Sequence, residues 1–402
     1  VDREDGDFYN VFMKSHGEIC TFNQRRSFVR YLKRSALAMC LALILTLTGV
    51  GPTLTCAHPT LSGVMTAEAA TNKIDKMVKG MSLSEKVGQM FLADCPTNAK
   101  ESAKTYQLGG YVLFARDFEN GTPASVKKTI SGYQSVSKIP MLITVDEEGG
   151  SVTRISRYKA FRSSKFQSPQ AVYKAGGASA IRADVREKAK LLKSLGVNVN
   201  LAPVADVPTS TDSFIYGRSF GTDPVLTGKY VAAVVKESKK AGLGAVLKHF
   251  PGYGDNGDTH TGIEVDIRPS STFKNRDLVP FKAGIEAGAP AILVSHNIVK
   301  CVDAKRPASL SLKMHKILRD NLGFDGVVMT DDLAMGAITA AYGQAQAAVM
   351  AVQAGNDMLI TEDFKTGISA VLEAVKSGRI KESRIDVSVR RILEWKAQLG
   401  LI

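Results

Sequence analysis

The chain has 402 residues, of which 44% are hydrophobic and 23% are charged. This composition indicates a globular protein with a sizeable core and excludes a disordered or fibrous chain. The formal net charge of +13 favours anionic surroundings, although a solvated charged surface is the plainer explanation. The lysines are scattered along helical faces without a basic stripe interleaved with aromatic residues, so no nucleic-acid partner is expected.

The first predicted element is an export segment within residues 1–70. Arg25 and Arg26 begin a basic stretch, and an uncharged apolar run follows at 36–48. This order is typical of a secretory signal, and the paired arginines before Ser-Phe also fit a twin-arginine signal. The apolar run is short for a membrane span, so we expect cleavage or a lipid anchor, and retention as a membrane anchor stays open. Residues 53–55 match the usual lipoprotein pattern poorly, so Cys56 is more simply a cysteine of the signal region. We expect an exported protein, extracellular or on the cell surface.

Residues 71–402 are expected to form one catalytic domain in which strands and helices alternate. The apolar segments that predict strands are 87–92, 111–114, 141–145, 197–201, 245–247, 291–294, 327–329 and 357–360. The clearest helical periodicities span 178–195, 226–241, 273–287, 310–322 and 385–399. Such alternation predicts parallel strands, and eight units fit a closed (β/α)8 TIM barrel better than an open sheet of about six strands. Cys95 and Cys301 are compatible with one disulfide or with free thiols.

Ionisable side chains follow four of the predicted strands. Asp146 comes after the third strand, His249 after the fifth, His296 after the sixth and Asp331 after the seventh. The carboxyl ends of barrel strands all lie on one face, where barrel enzymes place their chemistry. A structural hydrogen bond explains any one of these residues, but several that converge at one rim indicate an active site.

The segment 248–260, at the end of the fifth strand, carries a dense group of ionisable side chains. Its proline and glycines forbid regular structure and display these groups on a turn. Asp258 and His260 bracket Thr259, a spacing at which a carboxylate can orient an imidazole and raise its proton affinity. The pair suits a proton donor.

Six segments match, in order, the motifs of one enzyme family. They read MSLSEKVGQM at 81–90, VDEEGG at 145–150, NLAPVAD at 200–206, RSFG at 218–221, KHFPG at 248–252 and DGVVMTDD at 325–332. On these motifs the chain resembles the β-N-acetylglucosaminidases of glycoside hydrolase family 3, from residue 81 to the C-terminus. The resemblance implies a retaining exo-hydrolase that removes terminal β-linked N-acetylglucosamine from peptidoglycan fragments or chitooligosaccharides.

The resemblance also implies roles for individual residues. Asp331 matches the nucleophile, and Asp258 and His260 match a dyad in which the histidine is the acid/base. The implied sugar contacts are Asp146, Arg154, Arg218, Lys248 and His249. His296 and Asp332 are expected to support the rim without touching the sugar. The implied partner is a carbohydrate containing N-acetylglucosamine, with cell-wall association; no metal or organic cofactor is implied, and the oligomeric state is open.

Two departures from the family pattern stand near the predicted site. Ser151 occupies a position where the family often has arginine, and Tyr253 occupies one where histidine is frequent. The loop between Asp255 and His260 is one residue shorter than the usual pattern. We expect these changes to affect loop closure or the preferred leaving group, while the Asp258–His260 dyad survives.

Other functions fit parts of the same pattern. A family 3 β-glucosidase is a near alternative, although such enzymes usually take a carboxylic acid/base from a second domain, and none is visible. A phosphorylase is mechanistically close, because an imidazole does not repel phosphate as a carboxylate would. A metal-dependent hydrolase would use His249, His260, His296 and Asp331 as ligands, but its usual His-x-His motif is missing. A Schiff-base role for Lys248 and a wall-binding module without catalysis are further alternatives.

Overall fold

The protein is known here from a computed structural model that describes residues 67–402, with side chains from residue 72 onward. Eight parallel strands of this part close into a barrel. In their order around the barrel, these strands are β1 Phe91–Asp94, β2 Gly110–Leu113, β3 Leu142–Val145, β4 Val199–Asn200, β5 Gly244–Phe250, β7 Ala291–Val294, β9 Val327–Asp332 and β10 Met358–Thr361. The predicted (β/α)8 barrel is confirmed.

A small two-stranded sheet lies outside the barrel. It pairs β6, Val265–Asp266, in parallel with β8, Ile298–Val299. Strand β6 follows β5 along the chain, and β8 follows β7. The small sheet therefore lies on the side of the barrel where the carboxyl ends of its strands meet. It closes the base of the loop that carries Asp258 and His260.

Helices connect successive strands and cover the barrel. They are α1 Ala67–Gly80, α2 Leu83–Gln89, α3 Ala99–Tyr106, α4 Pro123–Gln134, α5 Pro169–Leu195, α6 Pro224–Ala241, α7 Leu278–Glu286, α8 Leu312–Lys316, α9 Gly336–Thr339, α10 Gln344–Ala354, α11 Phe364–Lys376 and α12 Glu382–Gln398. Several begin at a side-chain cap; Asp223 Oδ1, for example, accepts hydrogen bonds from the first backbone N–H groups of α6. Capping satisfies donors that have no partner inside a helix.

The first predicted strand, 87–92, is wrong in its first half. A capping box starts α2: Ser82 Oγ accepts from the backbone N–H of Glu85 at 3.3 Å, and Ser82 N–H donates to the Glu85 carboxylate at 2.9 Å. The strand begins only at Phe91. A short apolar run does not by itself distinguish a strand from the buried face of a helix, and here the cap decides between them.

Three of the predicted helices differ in detail from the observed ones. Segment 310–322 consists of α8 followed by a π-helical stretch, Ile317–Asn321, and segment 273–287 begins with a similar stretch, Phe273–Asp277. Helix α5 starts earlier than predicted, at Pro169, and its backbone departs from helical geometry at Gly176 and Gly177. Hydrophobic periodicity locates helices better than it locates their ends.

The barrel strands are buried on both faces, which explains why they read as continuous apolar runs. Asp331 and Asp332, at the end of β9, are the exceptions, and both are partly exposed. The packing between strands is close: a Cβ atom on Gly110 would stand 2.1 Å from the carbonyl oxygen of Leu142. Only glycine fits at that position of β2.

The predicted export segment falls on residues 1–66, apart from a few residues of α1, and so lies outside the described residues. Cys56 lies there too. In the part of the chain that is described, Cys95 and Cys301 are free thiols, so they form no disulfide with each other. Within that same part, no helix combines the length and apolarity that crossing a membrane requires.

Candidate active site

The predicted site residues meet at the carboxyl ends of the barrel strands. Lys248 and His249 lie near the end of β5, and Asp331 lies near the end of β9. Asp146 directly follows β3, and His296 follows β7 after one residue. Because all these strands are parallel, the five side chains share one rim of the barrel.

A buried network of four charges forms the floor of this rim. Lys248 Nζ lies 2.6 Å from Asp146 Oδ1 and 2.7 Å from Glu148 Oε1. Arg218 donates two hydrogen bonds to the Glu148 carboxylate, Nη2–H to Oε1 at 2.8 Å and Nε–H to Oε2 at 3.0 Å. The side chains of Lys248 and Glu148 are only 3% and 2% exposed, so these ion pairs are shielded from water.

Electrostatics keep this network charged. Burial acts to raise the pKa of Glu148, but Lys248 and Arg218 outweigh it and hold that pKa well below its usual range. Burial acts in the opposite sense on Lys248, and Asp146 and Glu148 outweigh it, so the pKa of Lys248 is raised. A cationic lysine between two carboxylates has no free lone pair, which argues against a Schiff-base role for Lys248.

Arg154 reaches the site through a second buried carboxylate. Glu147 accepts backbone N–H groups from Arg154 at 3.0 Å and Ile155 at 2.8 Å, and it also binds Ser156. The side-chain amide of Asn200, at the end of β4, donates to the Glu147 carbonyl and accepts from its N–H. The main chain around Arg154 is therefore fixed, and its guanidinium comes to 3.6 Å from Asp146 Oδ2.

The orientation of His249 is set by two neighbours. Its Nδ1 lies 2.7 Å from Asp206 Oδ2, and its Nε2 lies 3.2 Å from Arg218 Nη2. A guanidinium can only donate, so Nε2 accepts this hydrogen bond and the ring proton is assigned to Nδ1, facing Asp206. Asp206 is completely buried, so His249 is held rigidly at the edge of the site.

Asp331 combines a deep position with an accessible carboxylate. Its Oδ1 accepts the backbone N–H of Asp332 at 3.0 Å. Burial acts to raise the pKa of Asp331, but the imidazoles of His249, His296 and His260 outweigh it and keep the pKa below the ordinary 3.8. The carboxylate is therefore ionised at neutral pH, as a nucleophile requires.

His296 and Asp332 support the strand end that carries Asp331. The buried imidazole of His296 bonds to Ser309 Oγ through Nδ1 at 2.7 Å and to the carbonyl oxygen of Asp332 through Nε2 at 2.9 Å. Burial lowers the pKa of His296 and raises that of Asp332 to about 6. Asp332 Oδ1 accepts the N–H of Ala334 at 2.9 Å, which closes the turn after β9.

The Asp258–His260 dyad stands on the loop between β5 and β6. Asp258 Oδ1 accepts the imidazole Nδ1–H of His260 at 2.6 Å and its backbone N–H at 3.0 Å. Burial acts to raise the pKa of Asp258, but these two hydrogen bonds lower it. His260 is 62% exposed and lies close enough to Asp331 to affect its pKa. Its free Nε2 is available for proton transfer at the same rim.

Two of the four residues that a metal site would use, His249 and His296, have both ring nitrogens engaged in hydrogen bonds. Both ring nitrogens of His296 are bonded, and His249 lies between Asp206 and Arg218. Among the side chains described, no three or more of His, Cys, Asp and Glu are grouped so that they could hold a metal ion. The imidazoles of His249 and His296 therefore serve to hold neighbouring groups by hydrogen bonds.

Sequence reasoning missed two functional side chains. Glu148 joins Lys248 to Arg218, and Asp206 holds His249, yet neither was predicted as a site residue. Each lies in a motif just after a buried strand, which was the available signal. The two acidic residues are visible in the sequence, but their partners are not. Arg218 lies 70 residues from Glu148, and His249 lies 43 residues from Asp206.

Comparison with known proteins identifies the family. The glycosyl hydrolase family 3 N terminal domain matches residues 82–395. The chain belongs to this family. The relatives include a beta-hexosaminidase of Xanthomonas oryzae pv. oryzae, 33% identical over 303 residues, which cover 73% of this chain and 88% of the relative. Beta-hexosaminidase A of Pseudoalteromonas piscicida is 30% identical over 333 residues, covering 76% of this chain and 56% of that protein.

Solved structures of the family have the same architecture. A family 3 β-N-acetylglucosaminidase from Paenibacillus sp. str. FPU-7 superposes with a TM-score of 0.75 at 33% identity, covering 80% of this chain and 63% of that one. LpqI of M. tuberculosis superposes with a TM-score of 0.74 at 27% identity, covering 80% and 96%. The chain thus spans less than two thirds of the Pseudoalteromonas and Paenibacillus proteins and nearly all of the solved chain of LpqI.

Replacing Glu148 by glutamine tests the buried charge network. We expect Glu148→Gln to lower the free energy of unfolding by about 3–5 kcal/mol at neutral pH, because Lys248 and Arg218 lose a shared counter-charge. The pKa of Glu148 is depressed in the folded state, so its contribution is fully present above pH 4.5 and is lost as the pH falls toward the folded-state pKa.

Urea unfolding at about pH 7 and about pH 3 measures both effects. The difference between wild type and Glu148→Gln should narrow at the lower pH. Glu101→Gln, a change at an exposed position of α3, is the matched control and should alter stability by no more than about 0.5 kcal/mol. A difference that is small at neutral pH, or that does not change with pH, would contradict the assignment.

Proposed function

We propose that this protein is a retaining exo-β-N-acetylglucosaminidase. One observation carries the proposal: an ionised aspartate, Asp331, and a carboxylate-supported imidazole, His260, occupy one rim of a family 3 barrel. The beta-hexosaminidase and β-N-acetylglucosaminidase relatives support the same substrate sugar. N-Acetylglucosamine is therefore the unit that we expect the rim to hold.

Sugar binding follows from the charges on the floor. The Asp146 carboxylate is fixed by Lys248 yet remains 14% exposed, so it can accept hydrogen bonds from sugar hydroxyls. Arg154 and Arg218 lie around it as donors, at 28% and 19% exposure. Donors of this kind suit hydroxyl and acetamido oxygens. Because the two side chains are already held in place, they lose little conformational entropy when the sugar binds.

The first chemical step forms a bond to Asp331. A carboxylate oxygen of Asp331 attacks the anomeric carbon while the bond from that carbon to the leaving oxygen breaks. His260, protonated, transfers its Nε2 proton to the leaving oxygen, so the departing sugar leaves as a neutral alcohol. The product of the step is a glycosyl ester of Asp331 and a neutral imidazole at His260.

The second step returns the enzyme to its starting state. A water molecule attacks the anomeric carbon, and Nε2 of His260 removes its proton as the bond to the Asp331 carboxylate breaks. Asp258 keeps the imidazole in one orientation and stabilises its cation in both steps. Two inversions at one carbon leave the configuration unchanged, which is why the enzyme is proposed to be retaining.

Peptidoglycan fragments are the proposed substrate class, with chitooligosaccharides second. A disaccharide of N-acetylglucosamine and N-acetylmuramic acid carries a carboxylate, and the net charge of +13 favours such a partner over a neutral one. The proposed export segment would bring the enzyme to the cell wall, where both the fragments and anionic polymers occur. The positive charge of the protein would then attract both the anionic fragments and the anionic polymers of the wall.

The Asp331 assignment predicts near-complete inactivation of Asp331→Ala. Without the carboxylate no glycosyl ester forms, so kcat/KM for a 4-nitrophenyl β-N-acetylglucosaminide should fall by roughly a thousandfold or more. Asp332→Asn is the neighbouring control, because it keeps the acceptor for Ala334 and should stay within roughly tenfold of wild type. Substantial turnover by Asp331→Ala would remove the nucleophile from the mechanism.

The proton-donor role of His260 predicts a dependence on the leaving group. His260→Ala should slow substrates with poor leaving groups by about 10²–10⁴-fold, and substrates with acidic phenol leaving groups far less. The measurement compares kcat/KM for the unsubstituted phenyl and 2,4-dinitrophenyl glycosides. Equal losses on both substrates would show that His260 donates no proton in the rate-limiting step.

Product analysis separates hydrolysis from its nearest alternatives. We expect the disaccharide of N-acetylglucosamine and N-acetylmuramic acid to yield two free sugars, at the same rate with and without phosphate. An N-acetylglucosamine 1-phosphate product formed only with phosphate would instead make the protein a phosphorylase. Faster turnover of an aryl β-glucoside than of the matching N-acetylglucosaminide would make it a β-glucosidase.

A further inference from the structure

The loop that carries the dyad is attached at its base by several contacts. Asp255 accepts the backbone N–H of Thr209 at 2.7 Å, and Asn256 Nδ2–H donates to Asp266 Oδ2 at 2.6 Å. The N–H of Gly257 donates to the Glu264 carboxylate at 3.1 Å. These contacts fix the stem of the loop, but they do not reach the residues on either side of Thr259.

Thr259 differs from both of its neighbours in the chain. It is completely buried, whereas the side chains of Asp258 and His260 are 40% and 62% exposed. Its Oγ1 lies 2.7 Å from the hydroxyl oxygen of Tyr253. Its carbonyl oxygen accepts the N–H of Ala337 at 3.2 Å, in the segment that follows Asp331 along the chain. Thr259, between the two residues of the dyad, is thus fixed by one side-chain and one backbone hydrogen bond.

Tyr253 belongs to the rigid floor beneath the loop. Its ring is 2% exposed and contacts the rings of His249 and Phe214 edge to face, at centroid distances of 5.0 and 5.1 Å. Its backbone N–H donates to Asp206 Oδ1 at 2.7 Å, so one buried carboxylate holds both Tyr253 and His249. A hydroxyl on this ring has a well-defined position.

The local packing leaves little room for other arrangements. Burial raises the pKa of Tyr253 well above its ordinary value, so the phenol keeps its proton and can donate it in a hydrogen bond. A Cβ atom on Gly336 would come within 2.8 Å of the carbonyl oxygen of His260, so the loop lies directly against the start of α9. Water cannot replace the lost partner if either hydroxyl is removed, because both side chains are buried.

We propose that the Tyr253–Thr259 hydrogen bond holds the Asp258–His260 dyad at the rim and that Tyr253 is a positioning residue for proton transfer. The inference rests on the proposed function, since it concerns the same His260. It also gives a role to a departure of this chain from the family pattern, in which histidine is frequent at position 253. Tyr253 acts through Thr259 and does not itself touch the sugar.

Tyr253→Phe tests the proposal, because it removes the hydroxyl and keeps the ring. We expect kcat/KM for a glycoside with a poor leaving group to fall by about tenfold, the factor that corresponds to the free energy of one buried hydrogen bond. The value of kcat/KM for a dinitrophenyl glycoside should change by less than about twofold, because kcat/KM reports only the first step and an acidic phenol leaves without proton donation. Thr259→Val should reproduce these effects. Thr259→Ser, which keeps the hydroxyl, should have rates close to those of the wild type.

Two further measurements separate this role from a general loss of structure. Tyr111→Phe is the matched control: it removes a buried tyrosine hydroxyl that donates to the carbonyl of Ala99 at 2.6 Å, and it should leave the ratio of the two rates unchanged. Hydrogen–deuterium exchange of residues 253–264 should increase in Tyr253→Phe and Thr259→Val, and the double variant should be no worse than either.

The outcomes are distinguishable from a failure of the proposed function. Wild-type protein that hydrolyses no N-acetylglucosaminide would overturn the proposed function, while the exchange measurement would still decide whether the hydrogen bond holds the loop. Equal rate losses on both leaving groups, or unchanged exchange of the loop in both variants, would overturn the positioning role. If Tyr253→Phe does not fold, the comparison of Thr259→Val with Thr259→Ser gives the same decision.

Discussion

The rest of the site depends on the buried ammonium of Lys248, which lies between the carboxylates of Asp146 and Glu148. Without Lys248, two carboxylates would face each other away from water, and without Glu148 the cations of Lys248 and Arg218 would do the same. Because the charges balance, the barrel can keep ionised groups at its rim. A sugar bound as proposed would meet side chains that are already oriented, so its binding would require little further ordering of the protein.

Two different physical environments divide the work of the site. The floor, which includes Asp146, Lys248 and His249, is largely buried and held by ion pairs, so it gives the site its shape and its binding groups. The Asp258–His260 dyad is exposed on a loop, where an imidazole can meet a leaving group that extends into solvent. An exposed donor needs a separate means of positioning, and the buried side chain of Thr259 lies where the loop meets the floor.

Much of the fold and part of the site could be predicted from sequence. Apolar runs followed by Asp146, His249 and Asp331 predicted the barrel and the position of these three residues at one rim, because parallel strands bring their carboxyl ends together. The start of β1 was misplaced, because the cap at Ser82 outweighs the apolar run. The roles of Glu148 and Thr259 depend on partners brought close only by the closed barrel and by the loop conformation, and residue spacing carries no such information.

The central claim is that Asp331 becomes covalently bonded to the sugar. Mass spectrometry of the protein treated with a fluorinated N-acetylglucosaminyl fluoride, whose glycosyl ester breaks down slowly, measures this directly. The account predicts one added sugar per chain, located by peptide mapping at Asp331, and none in Asp331→Ala. A sugar attached to another residue, or initial release of the α-anomer from a β-linked substrate, would contradict it.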